Sequence, residues 1–389
     1  MTLNDQFDAV VIGGGPVGCV VALALSRCGL KTAMLEAQAD RTTISDGRTL
    51  ALSWNSFLIL NRLDAWSDEM VSFPIRAIHI SDRGNFGQST VSASDVNLTE
   101  LGFVVRFQDL LPQLRMELIK QNVETFFHTE AKSIKKSGEY SSINLTSKGF
   151  DKTISSRLVV MADGGQSLNI AGLKYKKSIE YGHKAIVGIV KSDAKPSNIA
   201  YERFTDAGPI ALLPRGNEFS FVWSVNSDGV DSLLNETDEN FLSRFQSAFG
   251  DRCGNFTAIR EKRSYTLSTK IAEQPSGGGI VIVGNASQAL HPIAAQGLNL
   301  GFRDAWDLAQ LCGQLDEKKL NRSETVRDFR RKRRWDRFQT AVFSSSLNRL
   351  FSSKMLGMRR GRGLGLLALD LVPLAKKIII RQLIFGPRL

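Results

Sequence analysis

Reactive side chains are scarce in this sequence. Its 389 residues include only four cysteines and four histidines. No two cysteines form a Cys-x-x-Cys pair or a metal-binding spacing, so we interpret them as single buried thiols in a reducing compartment and predict no metal site. Gly-x-Ser-x-Gly and His-Glu-x-x-His motifs are missing too, which argues against a serine hydrolase and a zinc peptidase. The composition therefore indicates chemistry that needs no nucleophilic side chain.

Long hydrophobic runs are also missing. Residues 1–8 contain no basic residue and no apolar signal core precedes Asp8, so a secretory signal is not expected and we predict a cytoplasmic protein. The apolar run over residues 364–375 contains Asp370 and Pro373 and is too short to cross a bilayer. With 42% hydrophobic residues and 33 glycines, the chain is typical of a globular protein with one elaborate domain or two interleaved ones.

Positive charge is concentrated at the C-terminus. Residues 322–389 hold 17 Lys and Arg against 4 Asp and Glu, whereas the rest of the chain holds 33 basic and 35 acidic residues. The net charge of +11 therefore comes entirely from the C-terminal segment. A body that bound nucleic acid would carry cations over its own surface, with aromatic platforms among them, so nucleic-acid binding is not predicted.

A glycine-rich turn lies near the N-terminus, in the pattern Gly-x-Gly-x-x-Gly. A short apolar run over residues 8–12 precedes it, a helical pattern over 16–28 follows, and a second strand over 31–35 ends at Glu36. The three glycines, which allow a tight turn, close approach of a pyrophosphate and close packing of helix on strand, are Gly13, Gly15 and Gly18. Glu36 is placed to accept hydrogen bonds from ribose hydroxyls. The turn predicts a bound dinucleotide, either NAD or FAD.

A second glycine-rich segment, some 270 residues later, favours flavin. A predicted strand over residues 279–283 leads into a Gly-Asn-Ala turn and a loop, and a predicted helix covers 298–311. Ribityl hydroxyls need polar partners at such a strand end, and the partial positive charge of a helix N-terminus suits the isoalloxazine edge. The residues expected to contact the flavin are Asn285 at the turn, Pro292 on the flavin face, and Gly297, Leu298 and Asn299 through their amides. Together the two segments predict bound FAD.

Two further segments resemble the group A aromatic hydroxylases, which are flavoprotein monooxygenases. The segment over residues 45–53 carries Arg48, and a buried strand with an Asp-Gly turn over residues 157–167 carries Asp163 and Gly164. The resemblance implies that Arg48 lies near the flavin and the pyrophosphate. It also implies that the Asp-Gly turn lies near the pyrophosphate and takes part in nicotinamide binding. The alternatives are that Arg48 is a surface arginine in a turn and that Asp163-Gly164 is an ordinary hairpin turn.

Within that family, the sequence is most similar to bacterial hydroxylases of ubiquinone biosynthesis, the 2-octaprenyl-6-methoxyphenol hydroxylases in particular. The similar stretches cover residues 46–52, 78–84, 201–214 and 284–292. The family usually has aspartate where this chain has Asn285, and an amide can still accept and donate the ribityl hydrogen bonds. This resemblance implies a polyprenylated phenol as substrate.

The resemblance also implies the reaction. NAD(P)H reduces the flavin, O2 adds at C4a to give a hydroperoxide, and its distal oxygen hydroxylates the activated ring. His291 precedes Pro292 at the expected flavin face and is a candidate for orienting or deprotonating the phenol; alternatively it is a structural histidine bonded to backbone. No catalytic base is assigned from the sequence.

The expected fold class is α/β, with a Rossmann-like FAD-binding domain of the group A hydroxylase fold interleaved with a β-sheet substrate domain. We assign residues 1–75, 101–180 and 266–320 to the FAD-binding domain, 76–100 and 181–265 to the substrate domain, and 321–389 to a basic helical C-terminal segment. The substrate domain is predicted from short β-rich runs separated by turn residues. Three of its aromatic residues either line an apolar roof over the flavin or form sheet core: Phe204, Phe221 and Trp223.

The basic C-terminal segment mixes apolar residues with cations. We expect it to lie on the anionic inner face of the cytoplasmic membrane, with apolar side chains in the interface and cations against headgroups. The alternatives are a solvated basic face on a helical cap over the FAD domain, and a surface for other ubiquinone-biosynthesis proteins. Three other functions stay open from the sequence: a hydroxylase of a small soluble aromatic compound, a reductase of prenyl double bonds, and a non-catalytic flavoprotein of a membrane complex.

Overall fold

The computed structural model describes residues 6–40, 47–85, 87–273, 279–289, 296–314, 323–352 and 370–386. The strands in chain order are β1 (Gln6–Ile12), β2 (Thr32–Leu35), β3 (Thr49–Ser53), β4 (Ser72–Ile75), β5 (Ala77–Asp82), β6 (Gln88–Ser92), β7 (Gly102–Arg106), β8 (Glu124–Phe126), β9 (Thr129–Ser137), β10 (Tyr140–Ser147), β11 (Phe150–Met161), β12 (Tyr175–Ser192), β13 (Ile199–Phe204), β14 (Ile210–Arg215), β15 (Glu218–Asn226), β16 (Phe256–Ala272), β17 (Ile280–Ile282) and β18 (Gln288–Ala289). The helices are α1 (Pro16–Arg27), α2 (Trp54–Arg62), α3 (Phe107–Lys120), α4 (Val230–Leu234), α5 (Asp238–Phe249), α6 (Gly284–Ser287), α7 (Gln296–Cys312), α8 (Ser323–Ser352) and α9 (Pro373–Phe385).

The first sheet holds seven strands in the order β8-β2-β1-β11-β10-β9, with β17 beside the end of β11. β1, β2, β11 and β17 run parallel, and their register aligns Ile12 with Leu35 and Met161, and Met161 with Ile282. These are the last residues of the four strands. The loops that follow them therefore emerge side by side at one edge of the sheet, which is where open parallel sheets bind ligands.

Helices α1, α3 and α7 cover one face of this sheet. Their apolar stripes enter a core with the inward residues of β1 and β11, where Val11, Leu23 and Phe302 have no exposed surface. Helix α1 is buried over most of its length because it lies between the sheet and α7. A helix that is apolar all round is expected in such a position.

The second sheet holds eight strands in the order β18-β16-β12-β15-β14-β13-β5-β6. One face packs on α4 and α5. Phe221 and Trp223 lie in that core, with ring centroids 4.8 and 5.6 Å from Phe245. These two aromatic residues are therefore sheet core, one of the two roles that the sequence left open, and Phe204 is likewise buried, with 2% exposure. The sheet includes residues beyond the range 181–265, because β12 begins at Tyr175 and β16 ends at Ala272.

A small sheet of order β3-β7-β4 lies between the two larger ones. The Oγ1 of Thr49 on β3 and the Oγ of Ser220 on β15 are 2.5 Å apart and share a hydrogen bond. The small sheet is therefore linked directly to the eight-stranded sheet. This hydrogen bond also identifies the face of the eight-stranded sheet that looks toward the FAD-binding part.

The C-terminal segment is helical but is partly built into the fold. Helix α9 returns to the body of the protein, where Ile380 and Ile384 are buried with Ile75, Val91 and Val104. In the described part of the chain, no helix is both long enough and apolar enough to cross a membrane.

Candidate functional site

The first glycine turn is tightly packed against the Asp-Gly turn that follows β11. A Cβ added to Gly13, whose φ is +108°, would lie 2.7 Å from the Asp163 backbone, and one added to Gly18 would lie 1.8 Å from the Gly13 carbonyl oxygen. Both positions therefore require glycine for the packing of the turn itself.

Gly15 differs because its side-chain direction is open. A Cβ added there would meet nothing within 4 Å. Gly15 is the N-cap of α1 and Pro16 opens the helix; no side chain caps the N-terminus and the first turn holds no acidic residue. The free N–H groups and the positive end of the helix dipole therefore face open space beside a bare glycine, which is the environment that a pyrophosphate requires.

Glu36 follows β2 and closes the other side of this turn. Its Oε2 accepts a hydrogen bond from the Gly14 N–H at 2.7 Å, and its Oε1 accepts one from the Gln38 N–H at 2.7 Å. Both contacts orient the carboxylate at the glycine turn. Because each carboxylate oxygen has two acceptor sites, capacity remains for ribose hydroxyls.

Asp163 and Gly164 form a turn whose side-chain chemistry is local. The Asp163 carboxylate accepts hydrogen bonds from the Gly165 N–H at 2.9 Å and the Ser167 N–H at 2.7 Å, and it also bonds the Ser167 hydroxyl. Gly164 has a φ of +75° and open space at its Cβ position. The carboxylate thus holds the turn in shape, and the backbone of the turn, rather than the Asp163 side chain, faces the glycine loop.

The second glycine-rich segment joins the same edge of the sheet. Asn285 is exposed on α6, immediately after β17, and a Cβ added to Gly297 would lie 3.3 Å from the Asn285 Oδ1. The predicted ribityl contact and the predicted N-terminus of the isoalloxazine helix are therefore adjacent. Leu298 is half-buried against the core beneath. His291 and Pro292 lie outside the described residues.

Asn299 has a role that the sequence did not indicate. Its Oδ1 accepts hydrogen bonds from the Ser53 N–H at 2.9 Å and the Ser56 hydroxyl at 2.7 Å, and its Nδ2 donates to the Ala51 carbonyl at 3.0 Å. The side chain is 3% exposed. It fastens the first turn of α7 to β3 and α2, and so fixes the direction in which the helix N-terminus points.

A buried cluster of charges supports the turn after β17 from behind. The Gly284 N–H donates to the Asp304 Oδ2 at 3.0 Å, and the Arg337 guanidinium donates to the same oxygen at 3.1 Å. Arg333 donates to the Asp304 Oδ1 at 2.6 Å. Burial opposes ionisation of Asp304, but Arg337 and Arg333 outweigh it and hold its pKa below the ordinary value.

The remaining members of this cluster are also paired. Arg333 contacts Asp307 at 2.8 Å and Asp336 at 2.5 Å, and Arg303 contacts Asp336 at 2.9 Å. Arg333 is 2% exposed and Arg337 is 8% exposed. The expectation that the cations of the C-terminal segment lie against headgroups is therefore wrong for these two. Instead, Arg333 and Arg337 pair with buried aspartates on α7 and α8, because a buried charge requires a partner.

Arg48 lies where the two large sheets approach each other. Its guanidinium lies 4.9 Å from the ring centroid of Phe107 and 5.9 Å from that of Tyr265, and the side chain is exposed. It borders a cavity of about 150 Å³. The cavity lies between β3 and the eight-stranded sheet, and its lining includes Arg48, Thr49, Val187, Val222, Glu261 and Tyr265.

These residues fit FAD. A pyrophosphate would lie at Gly15 and the α1 N-terminus, the adenosine ribose at Glu36, and the flavin end beside Asn285 and the N-terminus of α7. The chain thus supplies, along one edge of the first sheet, the succession of N–H donors and acceptors that a long dinucleotide needs.

Comparison with known proteins shows an FAD-binding domain. The FAD binding domain model matches residues 6–314. Ubiquinone hydroxylase UbiL of Rhodospirillum rubrum is 27% identical over 96% of this chain and 89% of its own length. The 3-demethoxyubiquinol 3-hydroxylase of Escherichia coli is 26% identical over 77% of this chain and 78% of its own.

Solved structures give the same fold. The p-nitrophenol 4-monooxygenase PnpA of Pseudomonas putida superimposes with a TM-score of 0.81 at 16% identity, over 99% of this chain and 100% of the other. The predicted fold class and the predicted FAD cofactor are confirmed. The chain belongs to the FAD-binding-domain family and is an FAD-dependent monooxygenase.

Proposed function

We propose that this protein hydroxylates the aromatic ring of a polyprenylated phenol in ubiquinone biosynthesis. The observation that carries the proposal is the cavity between β3 and the eight-stranded sheet, which begins beside Arg48 and continues over Val187 and Val222. Its lining combines charged side chains, among them Arg48, Glu261 and Arg263, with the aliphatic Val187 and Val222, a combination that suits a phenol ring carrying an isoprenoid chain. The names of the relatives in Rhodospirillum rubrum and Escherichia coli support the same pathway.

In this proposal the cofactor and the protein have separate roles. Bound FAD, reduced by NAD(P)H, supplies the activation of O2. The chain would hold the cofactor through Gly15, Glu36 and the α7 N-terminus, and the eight-stranded sheet lines the cavity beside Arg48. Asn299 keeps the α7 N-terminus in place, where its partial positive charge favours electron-rich flavin.

The test is a quinone-lipid profile of cells that lack this gene, grown in air and analysed by mass spectrometry. We expect ubiquinone to disappear and one prenylated phenol to accumulate, with the mass of that phenol identifying the blocked hydroxylation. Complementation with the wild-type gene restores ubiquinone, whereas a Gly15→Val variant is expected to restore less, because its FAD affinity is lowered. An unchanged quinone pool in a strain with no second ring hydroxylase contradicts the proposal.

A small soluble aromatic compound is the competing substrate class. Purified enzyme distinguishes the two when NAD(P)H oxidation is measured with a prenylated phenol and with the same phenol lacking its prenyl chain. We expect a higher kcat/KM for the prenylated compound. An equal or higher value for the short phenol assigns the enzyme to soluble aromatic substrates instead. If neither compound stimulates oxidation while FAD remains bound, the hydroxylase proposal itself fails.

We also propose that α8 attaches the protein to the inner face of the cytoplasmic membrane. Trp335, Phe338 and Val342 are 59%, 55% and 45% exposed, and the Trp335 and Phe338 rings stack with centroids 5.7 Å apart. Arg331 and Arg334 are exposed on the same helix. Aromatic residues beside arginines match the headgroup region of an anionic bilayer, whereas the inward-facing Arg333 takes no part.

Flotation with vesicles tests this attachment. Truncation of the C-terminal segment is unsuitable, because it would remove Ile380 and Ile384 from the core. A double variant, Trp335→Ala with Phe338→Ala, is expected to lose binding to phosphatidylglycerol vesicles while it keeps its FAD. Phe150→Ala is the matched control, because Phe150 is 79% exposed far from α8 in the sequence. Unchanged flotation of the double variant contradicts the proposal.

A further inference from the structure

One charged side chain of the cavity beside Arg48 belongs to a residue with an unusual backbone conformation. Glu261 lines this cavity and lies within β16. Its φ is +59°, in the left-handed region that residues with a Cβ seldom adopt. The other described non-glycine residues with positive φ lie outside the strands and helices. Strand β16 therefore departs from regular geometry at the point where it borders the cavity.

A β-bulge accompanies this conformation. Val187 on β12 lies opposite Arg263 on β16, whereas Ile189, two residues further along β12, lies opposite Arg260. The single residue between them on β12 therefore faces two residues on β16, and Glu261 is one of these two. Bulges often occur beside active sites, where they change the direction of a side chain. This bulge lies in the wall of the cavity, because Val187, Ile189 and Arg263 line it as well.

The Glu261 carboxylate has one oxygen paired and one available. Its Oε1 accepts a hydrogen bond from the Arg260 Nη1 at 3.2 Å, and Arg260 also pairs with Glu218. Its Oε2 lies against Gly47, where an added Cβ would be 2.4 Å away. None of the residues that the structure describes donates a hydrogen bond to Oε2. The side chain is 42% exposed and lines the cavity, so a ligand there can reach this oxygen.

The chemistry of this oxygen favours a neutral hydroxyl group. A carboxylate oxygen accepts hydrogen bonds and repels anionic groups, for which Arg48 and Arg263 of the same cavity are better partners. Glycine at position 47 leaves the space beside the oxygen open. A hydrogen bond to an ionised acceptor is roughly twice as strong as one between neutral groups. A hydroxyl on an aromatic ring therefore suits this site, because it supplies a donor with little bulk.

We propose that Glu261 binds the phenolic hydroxyl of the substrate and so determines how the ring is oriented in the cavity. The hydroxyl donates to Oε2, while Arg260 holds Oε1. The aliphatic Val187 and Ile189, which border the bulge, then contact the ring. A site built to bond a hydroxyl discriminates against analogues that lack it, so Glu261 is a specificity-determining residue. The inference rests on the proposed hydroxylation of a phenol.

The test compares phenols with their methyl ethers, which cannot donate a hydrogen bond. Calorimetric titration of the FAD-loaded protein, without NAD(P)H, gives Kd values for 2-prenylphenol and 2-prenylanisole. We expect the wild type to bind the phenol about 10-fold more tightly than the ether, as a hydrogen bond to a charged group provides. Glu261→Gly is expected to reduce this ratio to near 1. Glu261→Gln is expected to give an intermediate ratio, because a neutral amide oxygen is a weaker acceptor.

Glu261→Gly also separates binding from folding. Glycine adopts a φ of +59° without strain, so this variant is expected to unfold at the wild-type temperature or above it. Lys148→Gly is the matched control, because Lys148 has a φ of +50° and is exposed in the turn between β10 and β11. It is expected to keep the wild-type ratio of Kd values. A purely structural role of Glu261 would leave the ratio unchanged, since structure does not distinguish a phenol from its ether.

The possible results separate this role from the proposed function. A ratio for Glu261→Gly within twofold of the wild-type ratio overturns the proposal, as does a wild-type ratio near 1. The same titrations with phenol and anisole test the substrate class. If 2-prenylphenol binds no more tightly than phenol, the polyprenylated substrate class fails, while the ratios still decide the role of Glu261. If the wild type binds none of these compounds, both proposals are overturned.

Discussion

The guanidinium of Arg333 and the carboxylate of Asp304 meet at 2.6 Å, with 2% and 1% of their side chains exposed. Arg333 comes from the basic C-terminal segment, and Asp304 comes from the helix that the flavin is expected to meet. The pair therefore makes α8 a part of the cofactor-binding structure, although the sequence suggests a surface segment there.

Loss of the Asp304 carboxylate is expected to be severe. Asp304→Ala leaves Arg333 and Arg337 buried without this partner and removes the acceptor of the Gly284 N–H. Breaking one side of a buried ion pair costs about 3–5 kcal/mol, so we expect a large fall in the free energy of unfolding and weaker FAD binding. Chemical denaturation and FAD titration measure both. Arg331→Ala, an exposed cation of the same helix, is expected to change neither; a mild effect of Asp304→Ala contradicts the assigned role of the cluster.

Asn299→Ala is expected to weaken FAD binding without unfolding the protein. It removes three hydrogen bonds, each contributing about 1 kcal/mol, and leaves the buried Ser56 hydroxyl without that acceptor. The α7 N-terminus then loses its fixed direction. We expect the Kd for FAD to rise about 10-fold, as measured by fluorescence titration, with Asn240→Ala on the exposed face of α5 unchanged. Equal FAD affinities in the two variants contradict this role.

Substitutions at Gly15 and Gly18 are expected to affect different properties, FAD binding at Gly15 and packing at Gly18. Gly15→Val projects into open space, so the apoprotein is expected to unfold within about 2 °C of the wild type, while FAD affinity falls on the order of 100-fold. Gly18→Ala places a Cβ 1.8 Å from the Gly13 carbonyl oxygen and is expected to prevent stable folding. Calorimetry of the apoproteins and FAD titration check both. Tight FAD binding by Gly15→Val shows that the pyrophosphate lies elsewhere.

The pKa of Glu202 predicts a pH dependence of stability. Burial raises its pKa to about 7 in the folded protein, from about 4.5 when unfolded, so between these values the folded state holds a proton that the unfolded state lacks. The free energy of unfolding therefore falls as pH rises from about 4.5 to 7, by up to about 3 kcal/mol from this group. Denaturation at pH 5 and pH 7.5 is expected to show a smaller decrease for Glu202→Gln than for the wild type. Equal decreases contradict the raised pKa.

The sequence predicted the cofactor-binding edge well because its constraints are local. Within one turn, Gly13 has a φ of +108° and a Cβ on Gly18 would lie 1.8 Å from the Gly13 carbonyl oxygen, and the strand and helix around them follow from a short apolar pattern. The predicted helix over residues 298–311 corresponds to α7, which the structure extends to Gln296–Cys312. Such signals depend on neighbours a few residues away, so a single sequence carries them.

Contacts between residues distant in the sequence could not be predicted in the same way. Arg333 lies in a run of five basic residues, and nothing in that run distinguishes the one that pairs with Asp304 and Asp307 from its exposed neighbours. A helical spacing of Asp304 and Asp307 on α7 was the available signal. The role of the Asn299 side chain and the burial of the Glu202 carboxyl were missed for a related reason: both depend on the register of strands and helices that are distant in sequence.

The distance along the chain between α1 and α7 also constrains how the protein is made. A Cβ on Gly301 of α7 would lie 2.6 Å from the Val17 side chain, so the two helices touch although 283 residues lie between these contacts in the sequence. During translation, the first glycine turn leaves the ribosome long before α7 has been synthesised. The face of α1 that packs on α7 is therefore uncovered during that time. FAD can be retained only once the second turn has been synthesised. A shortage of FAD is therefore expected to affect a chain in which the residues of β1–β17 have already been synthesised.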